Sequence, residues 1–109
     1  SKNPAATFKI AELEAQTQAC RQLVYQIGRM RDAGLNHRHE SCCAKIVATE
    51  NAINATKVAM DIMGVNGLEK GSVMEKLYRD ARILAIYEGT NEVQRLVVTN
   101  GLFPKKKKK

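Results

Sequence analysis

Glu88 is the residue of this chain best placed to move a proton. It lies in Ile86-Tyr87-Glu88-Gly89-Thr90, directly before a glycine that breaks a helical pattern carried by Val73, Leu77, Ala81 and Leu84. Those positions predict a helix that ends at Glu88. A carboxylate at the C-terminal end of a helix faces the negative end of the dipole, an opposition of about 0.3 to 1 kcal/mol that makes it readier to accept a proton. A general base has this character. Position alone also fits, and by itself favours, a solvated carboxylate at a helix boundary.

The other chemistry-bearing residues read as structural. His37 and His39 flank Arg38 in a polar turn without a second ligand pair, so no metal site is expected. Cys20, Cys42 and Cys43 are odd in number, and neighbours on a helix point about 100° apart, so a disulfide framework is not expected and a reducing compartment fits. Met60, Met63 and Met74 read as core gap-fillers, and Arg79 and Asp80 as surface ion-pair residues.

Four helices must hold Glu88. Apolar residues recur at three- and four-residue steps from Ile10 to Met30, and Gly34 supplies a left-handed cap. A second helix starts between Arg38 and Ser41 and runs through Met63 to Gly64. Residues 64–72 hold three glycines and read as a loop. Ser72, with Glu75 three residues on, forms a capping box for a third helix that buries Val73, Leu77, Ala81 and Leu84. Thr90 caps a fourth, with Glu92 in its first turn and Val93, Leu96 and Val97 facing inward. Only 5% of the residues are aromatic, which favours packed helices over sheets. The expected fold is all-α, an antiparallel four-helix up-and-down bundle over residues 1–104.

The stretch from Lys76 to Leu96, KLYRDARILAIYEGTNEVQRL, resembles the C-terminal signature of the acyl-CoA dehydrogenases. Arg79 and Asp80, a short apolar spacer, Ile86 to Glu92, and Gln94 with Arg95 carry the resemblance. Phe8 to Ala11, the turn at Asp32, Ala33 and Gly34, the pair Ala44 and Lys45, and Gly64 with Gly67 follow the family's order and distances. It implies an FAD enzyme that desaturates acyl-CoA thioesters between the α and β carbons. Carried over, Glu88 is the base, the Gly89 amide lies near the substrate, and Thr90, Asn91 and Glu92 approach the flavin. Asp61, Ile62, Met63, Gly64 and Val65 would touch the FAD of a neighbouring subunit.

This chain has Asp61 where the family usually has Gln, and Val65 where it usually has a second Gly. Near pyrophosphate a carboxylate is repulsive, and valine blocks close backbone approach. Asn3 and Pro4 stand where the family has Phe-Gln. The family also builds its site with an N-terminal helical domain and a central β domain, neither of which is present in these 109 residues. The implied role is that of one domain of the enzyme, inactive alone, within a homo-oligomer that passes electrons to an electron-transfer flavoprotein. The implied location is the cytoplasm of a bacterium or the mitochondrial matrix of a eukaryote. The other reading is a stand-alone bundle serving self-association or binding.

Five of the seven net positive charges are Lys105 to Lys109, and the remaining two are ordinary for a domain of this size. That run reads as an appended tail, so no specific nucleic-acid partner is expected. No apolar run reaches the ~18 residues of a transmembrane segment.

Overall fold

A computed structural model describes residues 3–104, and the expectation for residues 105–109 lies outside them. The described residues are all-α, with helices α1 (Pro4–Asp32), α2 (Arg38–Met63), α3 (Val65–Leu68), α4 (Val73–Ala81) and α5 (Asn91–Leu102). The loop expected after Gly64 contains the short α3. A 3₁₀ turn, Arg82–Ala85, extends α4.

Local chemistry sets most of the boundaries. Asn3 Oδ1 accepts from the Ala5 and Ala6 amides at 3.1 and 3.3 Å, and Pro4 occupies the first helical position, where its missing N–H costs nothing. The two residues that depart from the family pattern thus form a cap of their own. At the other end of α1, Gly34 takes φ +68°, and the Leu35 amide bonds back to the Met30 carbonyl at 2.9 Å. Ser72 Oγ accepts from the Glu75 amide and Thr90 Oγ1 from the Val93 amide, each at 3.2 Å, so both expected N-caps are formed.

The core lies along α2, on which α1, α4 and α5 all pack. Asn51 of α2 bonds Thr17 of α1, Asn91 at the start of α5 bonds Thr49, and Gly101 near its end lies against His39. The last two pairs make α5 antiparallel to α2, and the short turn at residues 33–37 folds α2 back along α1. The polypeptide between α4 and α5 must therefore turn a corner beside the middle of α2, and Glu88 stands at that corner.

The packing is open. The radius of gyration is 17.6 Å, against about 13 Å for a compact domain of this length. Accessible surface is 8501 Å², against roughly 6,000 Å² for a compact monomer of 12.1 kDa. Of the four residues expected to be buried by the third helix, Ala81 is buried and Leu84 half-buried, whereas Val73 and Leu77 are exposed. Val93 and Leu96, expected to face inward, are exposed too, with Leu96 at 64%. Their apolar spacing is genuine, but no described residue covers them.

Candidate active site at the Glu88 corner

The helix expected to end at Glu88 ends earlier. α4 stops at Ala81, the 3₁₀ turn stops at Ala85, and Glu88 stands three residues further on. The dipole of α4 therefore does not act on it directly, because that influence fades within the last turn. What distinguishes Glu88 is its backbone. It is the one non-glycine residue with positive φ among those described, at +54°, and Gly89 follows at +87°. A left-handed glutamate costs about 1–2 kcal/mol, and residues held this way cluster at functional sites.

The surrounding helices hold this corner from one side. Lys45 Nζ of α2 donates to the Gly89 carbonyl at 2.8 Å and to Asn91 Oδ1 at 2.9 Å. Gln94 Nε2 of α5 donates to the Glu88 carbonyl at 3.2 Å and to the Gly89 carbonyl at 3.4 Å. In a trans peptide the N–H points opposite to the C=O. With the Glu88 carbonyl turned to Gln94, the Gly89 N–H points away from the bundle, where it has no partner among the described residues. The Glu88 side chain is exposed, and its carboxylate is likewise unpartnered among them. A proton acceptor and an adjacent free N–H donor are therefore presented by consecutive residues.

Asn91 locks the arrangement. Its side chain is turned inward at 3% exposure. Oδ1 accepts from Lys45, while Nδ2 donates to Thr49 Oγ1 at 3.0 Å and to Glu50 Oε1 at 3.4 Å. Thr49 Oγ1 in turn donates to the Lys45 carbonyl at 2.7 Å. Glu50 also pairs with Arg95, so the Gln-Arg step of the motif ties α5 to both the corner and α2. A contact from Asn91 to a cofactor would have to use its backbone amide. Asn91→Ala would leave Lys45 and Thr49 short of partners, at an expected cost of about 1–3 kcal/mol. In thermal unfolding of this chain that is a fall of at least about 4 °C; an unchanged midpoint would show that the buried amide does not hold the corner.

Thr90 spends its hydroxyl on capping Val93, and Glu92 is exposed in the first turn of α5. The amides of Asn91 and Glu92 are among the first four of the helix and have no partner among the described residues. Asp61, Ile62, Met63, Gly64 and Val65 are exposed around the end of α2. The structure does not bring them to the corner. Asp61 lies sixteen residues along α2 from Lys45, about 24 Å at the helical rise. A cavity of about 470 Å³ opens beside the corner, lined by His37, Arg38, Ser41, Lys45 and Gln94 among others.

The ion pairs of α4 lie away from the corner and within one helix. Arg79 pairs with Glu75 and Asp80 with Lys76, each within α4 and not with one another. The hydrogen bond from Arg79 holds the Glu75 carboxyl below its ordinary range, and that from Lys76 does the same for Asp80. His37 Nδ1 meets Ser41 Oγ at 2.9 Å. No group of three or more metal-ligating side chains occurs among the described residues, and all three cysteines there are free. No helix among them is long and apolar enough to cross a membrane.

Sequence reasoning singled out Glu88 and its neighbours but missed Lys45 and Gln94 as the residues that hold them. Both were visible as parts of the motif pattern. Neither was legible as a donor to a carbonyl, since Lys45 reaches its partner across 44 positions of sequence.

Known proteins resemble this chain over most of its length. An acyl-CoA dehydrogenase of Bacillus subtilis (strain 168) is 39% identical over 100 residues, 92% of this chain and 26% of that protein. A 3-(aryl)acrylate reductase of Clostridium sporogenes is 40% identical over 102 residues, 94% of this chain and 27% of that protein. In structure, butyryl-CoA dehydrogenase from Megasphaera elsdenii superposes with a TM-score of 0.84 at 36% identity, covering 88% of this chain and 25% of that one. The chain thus spans about a quarter of the length of the curated relatives it matches. The family described as "Acyl-CoA dehydrogenase, C-terminal domain" matches residues 1–103, and with this fold and this corner the chain belongs to that family.

Proposed function

We propose that this chain is the C-terminal domain of an FAD-dependent acyl-CoA dehydrogenase and supplies the base for α,β-desaturation of acyl-CoA thioesters. The observation that carries this reading is the Glu88–Gly89 corner, with its carbonyls tied inward and its carboxylate and Gly89 N–H left outward. In the proposed reaction the Glu88 carboxylate takes the α proton, while the β hydrogen leaves with its electron pair. The Gly89 N–H donates to the thioester carbonyl, on which negative charge grows as the proton departs. When bound, FAD would supply the acceptor for that hydride. In the reverse direction, which the name of the Clostridium relative brings to mind, Glu88 would return the proton to the α carbon.

The residues present suit a flavin in two places. At the corner, the free Asn91 and Glu92 amides offer donors to an oxygen of the cofactor. At the far end of α2, the exposed Ile62 and Met63 offer apolar contact. Asp61 and the 80%-exposed Val65 have the wrong charge and shape for pyrophosphate, so this end is assigned to a ring contact. The rise of about 24 Å along α2 from Lys45, beside the corner, to Asp61 fits contacts to different flavins, one of them held by a neighbouring subunit.

The exposed apolar faces of α1, α4 and α5 are assigned to the enzyme's other domains and to further copies in a homo-oligomer. An electron-transfer flavoprotein is the proposed electron acceptor, and a reducing compartment the proposed location. The same exposed surface favours a second reading, in which the domain alone self-associates. The 109-residue chain is therefore expected to purify colourless, to sediment as more than a monomer and to turn over no thioester. Adding the upstream domains should restore both flavin and turnover. Stoichiometric FAD in the isolated chain, with thioester oxidation, would overturn the assignment of a partial site.

A further inference from the structure

We propose that Lys45 is a positioning residue for the Glu88 base, its ammonium fixing the Gly89 carbonyl and with it the backbone from which Glu88 and the Gly89 N–H act. The proposal rests on the reading of Glu88 as the base. Lysines on helices ordinarily pair with carboxylates or reach into solvent. Lys45 is half-buried and does neither: its two hydrogen bonds go to neutral oxygens, Gly89 O at 2.8 Å and Asn91 Oδ1 at 2.9 Å. Two acids lie five residues away along α2, Glu40 and Glu50; neither pairs with Lys45, and Glu50 is engaged by Arg95 and by Asn91 Nδ2.

A hydrogen bond from a charged donor is roughly twice as strong as a neutral one. The neutral donor to the same corner, Gln94, sits further away at 3.2 and 3.4 Å. Lys45 is therefore the main force opposing relaxation of two consecutive left-handed residues, at φ +54° and +87°. Because it grips a main-chain carbonyl, it can set the direction of the Glu88 side chain without touching it. Asn91, held by Thr49 and Glu50, keeps the ammonium on target.

The test uses the longer flavoenzyme that contains this domain, with Lys45→Met, Lys45→Gln and Lys45→Arg made alone and together with Glu88→Gln. Misplacing a catalytic group by about 1 Å costs on the order of 100-fold. Lys45→Met is accordingly expected to lower kcat by roughly 10- to 100-fold, with the thioester KM and the flavin per subunit changed less than about twofold. Lys45→Arg should recover most of that loss. In the Glu88→Gln background, Lys45→Met should cost several-fold less than it does in the parent, since Glu88 is already disabled and only the Gly89 N–H is left for it to position. If the methionine variant does not hold flavin, Lys45→Gln, which keeps a neutral donor of shorter reach, carries the same comparison. Full kcat in the flavin-loaded variants, or an equal loss in both backgrounds, would overturn the proposal. Failure of the underlying reading shows separately, as full turnover in Glu88→Gln alone.

Discussion

Glu88→Gln in the longer enzyme is expected to lower turnover of an acyl-CoA thioester by about 10²- to 10⁴-fold, the range that a positioned general base contributes. Glutamine nearly matches glutamate in shape and keeps the exposed position, but its amide does not accept the α proton. Because the corner is held through the Glu88 and Gly89 carbonyls, the substitution leaves Lys45 and Gln94 bound as before. Flavin content, thioester affinity and thermal midpoint should therefore stay close to those of the parent, separating a chemical defect from a structural one. Stopped-flow measurement of flavin reduction checks this. A reduction rate within tenfold of the parent would place the base elsewhere.

Gly89→Ala should be the more damaging change to the structure. At φ +87° an L side chain is strained, and a Cβ built there would lie 2.7 Å from Gln94 Nε2. Either Gln94 gives up its carbonyls or the peptide rotates. The backbone strain alone costs about 1–2 kcal/mol, and the lost hydrogen bonds add about 0.5–1.5 kcal/mol each. Rotation would also swing the Gly89 N–H away from the thioester carbonyl, and removing one such donor costs about 10²- to 10³-fold in kcat. Loss of both stability and turnover is thus expected, in contrast to the purely chemical loss from Glu88→Gln. Urea unfolding combined with steady-state kinetics shows the difference. An alanine variant as stable and as fast as the parent would mean that the corner is not held as described.

The parts of this architecture set by neighbouring residues were legible in the sequence. Gly34, Ser72 and Thr90 each terminate or cap a helix through groups within five positions, and each does so in the structure. The Glu88–Gly89 step was legible as a break in periodicity and as a motif. Its conformation was not, because the apolar spacing of Ala81 and Leu84 continues smoothly while the backbone tightens to 3₁₀ and then bends. Asn91 was expected near a flavin through the family resemblance, with the free N–H groups of the helix start facing the cofactor. Its burial depends on Lys45, Thr49 and Glu50, all more than 40 positions away, and no local pattern announces them. Val73, Leu77, Val93 and Leu96 show a different limit. Their spacing says that something apolar covers them, without saying what, and in the structure they stand exposed.

The role of Glu88 is most directly tested by exchange of the thioester α proton with solvent deuterium, which reports proton removal without hydride transfer. In the longer enzyme, saturated with a thioester in D₂O, the parent should wash deuterium into the α position, and Glu88→Gln with equal flavin and thioester bound should show almost none. Near-normal exchange in that variant would contradict the assignment and move the proton to another residue.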